Sequence, residues 1–302
     1  MLYLIDASVY VFRAYYSMPP DMLDREGNAA HALFGFARFL GDLIERAKPR
    51  YLAVAFDESL ETSFRNRIDP TYKANREPAP ADLKLQFGRC REFCEHLGVA
   101  HFGSGEYEAD DIIGTLHARF RREGLPATLV TRDKDLAQLV REGDVYWNYT
   151  ENLRLQHHEI EGHFGVAPER YADYLALTGD AVDNIKGVPG VGPKTAAVLL
   201  KEFASLEELY DNLKEVARLP IRGAAKLPQR LETHKDQAFL ARRLTEIARD
   251  MPLAAERDSL RPRKPDLTSL EAFFDRHNFG PMLRRQSLRL AELAASTERP
   301  AA

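Results

Sequence analysis

The segment Tyr51-Leu52-Ala53-Val54-Ala55-Phe56-Asp57 decides the fold class, because it is a short apolar run that ends in an acid. Three more short apolar runs occur in the first half of the chain, at Leu2–Ile5, Ala127–Thr131 and Val145–Asn148. Runs of this length that alternate with helical patterns are typical of the buried strands of βαβ units. The sequence therefore predicts an α/β fold with a mainly parallel central sheet flanked by helices.

Two helices are predicted in the segments that connect these strands. Residues Ala30–Arg46 repeat apolar side chains at helical spacing, and a second helix is predicted over Asp82–Leu97, after a polar segment that contains prolines. The segment Ser63–Arg76 is basic and aromatic but has no clear period. We therefore expect it to cross the surface outside the core.

The second half of the chain changes character near Gly165 and is predicted to be all-helical. The candidate helices are Pro168–Leu177, Lys194–Phe203, Leu206–Leu213 and Thr233–Ala248, and the basic stretch Arg261–Arg289 is partly helical. We therefore expect one domain at residues 1–164, a second at 165–290, and a frayed tail at 291–302.

The composition is that of an ordinary globular protein. Of the 302 residues, 44% are hydrophobic and 29% are charged, and no apolar run is long enough to cross a membrane. The first apolar run meets Asp6 at once, so we expect no signal peptide, no membrane partner and a cytoplasmic location. Cys90 and Cys94 lack a second ligand pair, which predicts two free thiols and neither a zinc site nor a disulfide.

Acids follow three of the four predicted strands. Asp6 follows the first, Asp57 the second, and Asp133 and Asp135 come closely after the third. A single Asp after a strand is usually a turn former. Ligands of open α/β sheets, however, bind outside the carboxyl ends of the strands, where side chains of neighbouring strands converge. Together these four acids predict one acidic crevice.

A further acidic group, Glu108-Ala109-Asp110-Asp111, opens a predicted helix. Acids at a helix start also cap the first turn and complement the helix dipole, so this group alone is ambiguous. Carboxylates crowded into one crevice repel one another unless a cation neutralises them, and sites made only of oxygen ligands suit Mg²⁺ or Mn²⁺. A pair of such ions is a known solution for phosphodiester hydrolysis. The net charge of −4 is then largely that of this site.

The stretch Gly187–Gly192, followed by Pro193 and Lys194, predicts a glycine-rich hairpin that leads into a helix. Glycines let the backbone approach a phosphate, and the free N–H groups at the helix start bind it. Such a helix–hairpin–helix would hold duplex DNA without reading its sequence. An ordinary glycine-rich turn is the alternative. Asp180 and Asp183 lie just upstream and are candidates to complete the acidic crevice.

Basic and aromatic residues alternate in the segment Tyr72-Lys73-Ala74-Asn75-Arg76. This pattern suits a single strand or an unpaired end, because cations bind phosphates while rings stack on bases. A solvated loop is the alternative, and the segment by itself does not exclude it.

Six motifs occur in an order that resembles the 5′ nuclease, or flap endonuclease, superfamily. They are Leu4-Ile5-Asp6, Phe56-Asp57, Tyr107–Asp111, Thr131–Leu136, Leu177–Asp183 and Gly187–Thr195. The chain resembles the 5′–3′ exonuclease domain of bacterial DNA polymerase I and stand-alone exonuclease IX-type flap endonucleases, from residue 1 to about Arg289. This resemblance implies a PIN-like α/β nuclease domain with a helical arch at about 58–100, and a helix–hairpin–helix DNA-binding domain at 165–290.

The resemblance also implies the roles of the acids. Asp6, Asp57 and Asp110 would hold a first ion, Mg²⁺ or Mn²⁺. The acids that would complete the cluster around it and around a second ion are Glu108, Asp111, Asp133, Asp135, Asp180 and Asp183.

Further residues match the parts of the family that meet DNA. Tyr72, Lys73 and Arg76 match the base of the arch, where Lys73 is expected to contact the scissile phosphate, and Arg13 matches an arginine near the same phosphate. The hairpin residues implied to bind DNA are Gly190, Val191, Gly192, Pro193, Lys194 and Thr195. A K⁺ ion at the hairpin would be held by the backbone carbonyls of Leu177, Thr178, Lys186, Val188 and Val191.

Two features depart from the family. Arg132 stands where a small residue is expected, and it either contacts DNA or points to solvent. Bacterial DNA polymerase I continues past the point where this chain ends, so no polymerase activity is implied. The set of acids, by contrast, is complete, which favours an active enzyme.

The predicted function is that of a structure-specific 5′–3′ exonuclease and flap endonuclease that uses two metal ions. Its expected partners are DNA with 5′ flaps, nicks or free 5′ ends, and RNA–DNA hybrid, and the protein is expected to be a monomer. One alternative is a non-catalytic DNA-binding protein that keeps the acids for folding. The other is an RNA-directed nuclease of the PIN-like type.

Overall fold

The computed structural model describes residues 1–58 and 62–297. Its centre is a six-stranded sheet with the strand order β3-β2-β1-β4-β5-β6, in which only β6 is antiparallel to its neighbour. The strands are β1 (Leu2–Asp6), β2 (Tyr51–Asp57), β3 (Ala100–Ser104), β4 (Ala127–Val130), β5 (Val145–Asn148) and β6 (Leu153–Gln156). The predicted mainly parallel sheet is therefore confirmed, with all four predicted strands in place.

Strands β3 and β6 were missed by the sequence analysis. Both lie at the edges of the sheet and are only partly buried, so their side chains do not form the apolar runs that mark a buried strand.

The sheet has a hydrophobic core on each face. In β2, Leu52, Val54 and Phe56 pack on one face, while Ala53 and Ala55 pack on the other, as the two-residue period of a strand requires. The helices of this half are α1 (Ala7–Ser17), α2 (His31–Ala47), α3 (Phe64–Ile68), α4 (Ala81–Leu97), α5 (Ala109–Arg122) and α6 (His157–Phe164). Helix α1 was not predicted, because its β-branched and aromatic residues have no strong helix propensity.

The rest of the chain is mainly helical. Its α-helices are α7 (Tyr171–Thr178), α8 (Pro193–Glu202), α9 (Leu206–Asp211), α10 (Leu213–Val216), α11 (Leu227–Thr233), α12 (Lys235–Thr245), α13 (Leu267–Arg276) and α14 (Pro281–Thr297). Short 3₁₀ helices lie at Lys134–Leu139, Pro168–Arg170, Ala224–Lys226 and Arg257–Leu260. The prediction of an all-helical second half was wrong at one place, where β7 (Gly179–Asp180) and β8 (Ile185–Lys186) form an antiparallel pair.

The burial of individual side chains tests the predictions made for Ser63–Arg76 and for the two cysteines. The segment Ser63–Arg76 was expected outside the core, but the side chains of Arg65 and Tyr72 are buried, because their polar atoms find partners inside the protein. Cys90 and Cys94 are free and buried, as predicted. Within the described ranges, no helix is both long and apolar enough to span a membrane.

Two predicted segments extend beyond the described residues. The arch region at about 58–100 includes residues 59–61, which lie outside them, and otherwise contains α3 and α4. Helix α4 packs into the core beside α2, where Gln86 Oε1 accepts a hydrogen bond of 2.8 Å from Ala32 N. The predicted tail at 291–302 begins inside α14, which continues to Thr297, and residues 298–302 lie outside the described part.

Candidate active site

An acidic cleft of about 270 Å³ lies at the carboxyl ends of the central strands. Asp6 is the last residue of β1, Asp57 is the last residue of β2, and Asp133 follows β4. These acids are neighbours because β1 pairs with both β2 and β4. Seven of the nine predicted acids line the cleft, namely Asp6, Asp57, Glu108, Asp110, Asp133, Asp135 and Asp183.

Local hydrogen bonds fix the acids that follow the strands. Asp6 accepts from Val9 N of α1 at 3.4 Å and from Thr131 Oγ1 at 2.9 Å. Asp57 Oδ1 accepts from Ala109 N at 2.8 Å, which ties the end of β2 to the first turn of α5. The acid-opened helix predicted at Glu108 is therefore confirmed, and it delivers Glu108 and Asp110 to the same cleft.

Burial and crowding raise the pKa of several acids of the cleft. Burial, with Asp57 and Asp133 adding to the effect, raises the pKa of Asp6 to about 8. Burial and the neighbouring Asp133 also raise the pKa of Asp110 and of Asp135 well above the usual range. A cation in the cleft would relieve both burial and repulsion, because each favours the neutral acid.

The donor atoms fit a hard divalent ion. Glu108 Oε1 and Asp135 Oδ1 are buried without a hydrogen-bond partner, and the acids offer only oxygen ligands. Over residues 1–58 and 62–297, however, no three His, Cys, Asp or Glu side chains already form a metal site. Mg²⁺ usually keeps several water ligands and needs only one or two carboxylates, so the acids of the cleft still suit it.

Basic side chains pair with two of the acids that line the cleft, Glu108 and Asp183. Lys73 Nζ lies 2.6 Å from Glu108 Oε2 and 3.8 Å from Asp183 Oδ2. Burial alone would raise the pKa of Glu108, but the charges of Lys73 and Arg65 outweigh it and lower that pKa. Burial would likewise lower the pKa of Lys73, and Glu108 and Asp183 raise it instead. Both pKa shifts therefore favour the ionised forms, a Lys73 ammonium beside a Glu108 carboxylate.

Tyr72 and Arg76 face the same acids. The Tyr72 hydroxyl can donate its one proton to Glu108 Oε2 at 3.1 Å or to Asp183 Oδ2 at 3.3 Å, and Arg76 forms an ion pair with Asp183. The solvated-loop alternative for this segment is therefore wrong, because its side chains line the cleft.

Among the predicted metal-binding and catalytic residues, three do not line the cleft, namely Asp111, Asp180 and Arg13. The oxygens of Asp111 are used by Arg65 and by the backbone N–H groups of Glu108 and Ala248, so its contacts are those of a structural residue. Asp180 accepts from Val182 N, and its Oδ2 lies 3.3 Å from Lys134 Nζ. Arg13 is exposed on α1, and Arg132, also exposed, lies 4.0 Å from Glu151.

The predicted hairpin is present beside the cleft. Strands β7 and β8 lead into the loop Gly187–Gly192, and α8 begins at Pro193 with Gly192 as its N-cap. Gly187 packs so closely that an added Cβ would lie 2.3 Å from Gly179 N. Gly190 has a φ of 77°, which glycine adopts without strain. Lys194 is exposed in the first turn of α8, where backbone N–H groups lack helical acceptors.

The carbonyls expected to bind K⁺ partly have partners. The carbonyl oxygens of Leu177, Lys186 and Val188 accept hydrogen bonds of 2.9, 2.8 and 3.0 Å from Val188 N, Gln237 Nε2 and Val191 N. A carbonyl oxygen has two lone pairs, so one hydrogen bond does not exhaust its capacity to bind a cation.

Sequence reasoning missed several residues that shape the site. Arg65 lines the cleft from α3, and Phe12 lines it from α1. Asn75 and Asn184 join the basic segment to the loop between β7 and β8. The basic character of Ser63–Arg76 was noticed, but its partners lie more than 30 residues away along the chain and no local pattern marks them.

Two family models together match residues 1–268. Residues 1–165 match the 5′–3′ exonuclease, N-terminal resolvase-like domain, and residues 166–268 match the 5′–3′ exonuclease, C-terminal SAM fold.

Individual relatives give the same picture. The 5′–3′ exonuclease of Aquifex aeolicus is 34% identical over 270 residues, which is 89% of each chain. DNA polymerase I of Pseudomonas aeruginosa is 40% identical over 274 residues, or 90% of this chain and 30% of the relative. The chain thus spans about a third of the DNA polymerase I relatives that it matches.

A solved structure shares the fold over nearly the whole chain. It is the bacteriophage T5 flap endonuclease in a pseudo-enzyme–product complex with DNA and metal ions. The TM-score is 0.62 at 19% identity, covering 97% of this chain and 99% of the other.

Proposed function

This chain belongs to the 5′–3′ exonuclease family, and from that premise we propose that it hydrolyses DNA phosphodiesters at 5′ ends and at 5′-flap junctions. The observation that carries the proposal is the single cleft in which seven acids face Tyr72, Lys73 and Arg76. Acids alone would repel a phosphate. The cations opposite them give the phosphate a place to bind while the acids hold metal ions.

We propose that the cleft holds two divalent ions, Mg²⁺ or Mn²⁺. Asp6, Asp57 and Asp110 are the proposed ligands of the first ion. The remaining acids of the cleft surround the second, namely Glu108, Asp133, Asp135 and Asp183. When bound, such a pair of ions lowers the pKa of the attacking water and neutralises charge on the leaving oxygen.

Lys73 is the proposed group that contacts the scissile phosphate. Its ammonium now neutralises Glu108 at 2.6 Å, so it is held at the cleft surface. Once ions neutralise the acids, the ammonium is free to donate to a phosphate oxygen and to stabilise the charge that develops there. Tyr72, which donates to Glu108, keeps that carboxylate oriented. Arg13 is exposed on α1, the helix that Asp6 caps. We propose that it contacts the DNA strand being cleaved at a point outside the cleft.

We propose that the hairpin binds duplex DNA. In Gly190–Thr195 the exposed residues are Gly190, Gly192, Pro193 and Lys194, and the N–H groups at the start of α8 and Lys194 would bind backbone phosphate. A K⁺ ion is proposed to bind the backbone carbonyls of Leu177, Thr178, Lys186, Val188 and Val191. Contacts of this kind fix position without reading base sequence.

The proposed substrates are DNA with 5′ flaps, nicks or free 5′ ends, and RNA–DNA hybrid. The protein is proposed to act as a monomer with a nuclease domain at 1–164 and a DNA-binding domain at 165–290. Resemblance supports these boundaries, since the two family models meet at residues 165 and 166.

The test compares a 5′-labelled flap, a nicked duplex and an RNA–DNA hybrid, each with Mg²⁺ and with EDTA. We expect Mg²⁺-dependent cuts at the flap junction and at the 5′ end. Asp133→Asn should abolish cleavage while keeping flap binding in Ca²⁺, and the exposed Asp21→Asn should leave both unchanged. Binding without any metal-dependent cut would instead support a non-catalytic DNA-binding protein, and cleavage of RNA alone would support the RNA-directed alternative.

A further inference from the structure

Two loops from different halves of the chain are joined beside the cleft, and we call them the clasp. One is residues 71–76, and the other is residues 181–184, between β7 and β8. Three of the hydrogen bonds that join them involve the backbone of one loop, from Lys73 N to Asp183 O (3.0 Å), from Asn75 Nδ2 to Ala181 O (3.1 Å), and from Asn184 Nδ2 to Thr71 O (2.7 Å), and Tyr72 and Arg76 add side-chain contacts to Asp183. The opposite loop therefore contacts the backbone of the lysine segment on both sides of Lys73.

Each loop of the clasp contains a residue with left-handed backbone. Lys73 has a φ of 55°, and Asn184 has a φ of 57°. Asparagine tolerates this region better than most residues, whereas lysine adopts it only where its surroundings compensate for the strain. Two hydrogen bonds from the opposite loop flank Lys73, at its own N–H and at Thr71 O, and they add to the turn bonds from Ala74 N to Thr71 O and from Arg76 N to Lys73 O.

The clasp also connects the cleft to the hairpin. Asn184 directly precedes β8 (Ile185–Lys186), which leads into the loop Gly187–Gly192. Gly187 in turn packs closely on the backbone of Gly179. The part of the protein proposed to grip duplex DNA is thus joined to Lys73 through Asn184.

We propose that Asn184 is a positioning residue, whose side-chain amide holds the Thr71–Lys73 backbone so that the Lys73 ammonium lies at the cleft. The proposal rests on the proposed function, because it assumes that Lys73 contacts the scissile phosphate. Asn184 does not line the cleft and acts through Lys73.

The test uses Asn184→Gly, which keeps the backbone conformation accessible but removes the amide. We expect kcat on a flap substrate to fall on the order of tenfold or more, because a small displacement of a reacting group is costly. KM should stay close to that of the wild type. Asn278→Gly is the matched control, since Asn278 also has a φ of 55° and its Nδ2 donates to Leu23 O at 3.0 Å, far from the cleft.

A second measurement does not depend on catalysis. Acylation of Lys73 in the metal-free protein, followed by mass spectrometry, reports how firmly the side chain is held, since it is only 10% exposed. The rate should rise several-fold in Asn184→Gly and stay unchanged in Asn278→Gly. If Asn184→Gly does not fold, Asn75→Ala, which removes another bond of the clasp, should show the same change.

Wild-type kcat together with wild-type Lys73 reactivity in Asn184→Gly would overturn the proposal. A wild-type protein that cleaves no DNA would overturn the proposed function instead. In that case the acylation rate still decides whether Asn184 holds Lys73 in place.

Discussion

Arg65 and Asp111 form a bidentate ion pair in the interior of the protein, with Nη1–Oδ2 and Nη2–Oδ1 distances of 2.7 and 2.8 Å. Their side chains are 3% and 0% exposed. Arg65 Nε also donates to Leu244 O, and Asp111 Oδ1 accepts from Ala248 N, both at 2.8 Å. The pair therefore joins α3 and α5 to the end of α12 and the residues after it. An acid that resemblance assigns to a metal cluster is here part of the framework.

Asp111→Ala should destabilise the protein by about 3–5 kcal/mol, because it leaves the Arg65 guanidinium buried without its partner. The free energy of unfolding in urea measures this. The double variant Arg65→Met/Asp111→Leu should lose less than Asp111→Ala, since no unpaired charge remains. Unchanged stability combined with weaker Ca²⁺ binding in Asp111→Ala would instead make this acid a metal ligand.

The metal-free protein should become less stable as the pH rises. The Asp6 pKa of about 8 means that the folded protein keeps a proton that the unfolded chain releases near pH 4. The free energy of unfolding therefore falls between about pH 4 and pH 8, by up to about 1.4 kcal/mol per pH unit for this group.

Thermal unfolding with EDTA and with Mg²⁺ across this range checks the prediction. The rise in Tm caused by Mg²⁺ should be largest near pH 8, because the ion binds deprotonated carboxylates and fewer protons must then be released. Asp6→Asn should reduce the slope of the metal-free profile, and Asp110 and Asp135 should account for part of the remainder, whereas the exposed Asp21→Asn should leave the slope unchanged. A metal-free Tm that rises toward pH 8 would contradict the assignment of a protonated acidic cluster.

Lys73→Met should reduce single-turnover cleavage of a flap by about 10²–10³-fold, the usual cost of removing one donor from a developing negative charge. Binding of the flap in Ca²⁺ should change little. The exposed Lys84→Met on α4 is the control and should keep wild-type rates. A loss of less than about threefold in Lys73→Met would show that this ammonium serves only to neutralise Glu108.

Lys194→Ala should weaken binding of duplex DNA for every sequence alike, because the hairpin is proposed to contact phosphates only. The dependence of log Kd on log salt concentration should lose about 0.9 in slope, the value for one phosphate contact. Fluorescence anisotropy in Ca²⁺ at several salt concentrations measures it. Arg218→Ala, whose side chain pairs with Glu215 on the surface, should leave the slope unchanged, and an equal loss there would argue against a specific hairpin contact.

Gly187→Ala should disrupt the hairpin. The added Cβ would lie 2.3 Å from Gly179 N and 2.5 Å from Leu177 O, both of them backbone atoms that cannot move aside. We expect lower stability and loss of duplex binding, measured by Tm and anisotropy. Gly192→Ala, where nothing lies within 4 Å of the added Cβ, is the control and should keep the wild-type Tm.

Most of the fold could be predicted because buried strands have a local pattern. The apolar runs at β1, β2, β4 and β5 were recognised, and the acids after three of them indicated the cleft. The edge strands β3 and β6 were missed, since a strand that is half-exposed has no apolar run. Helix α1 was missed because packing of its buried face, and not propensity, stabilises it.

The sequence by itself determined where the acids, the lysine segment and the glycine hairpin lie along the chain, because strand ends and glycine turns are local features. Only the tertiary structure decided which acids face the cleft. Asp110 and Asp111 are adjacent in sequence, yet the first lines the cleft and the second pairs with Arg65, 46 residues away. Successive residues of a helix point in different directions, and the partner that each one meets depends on how distant segments pack.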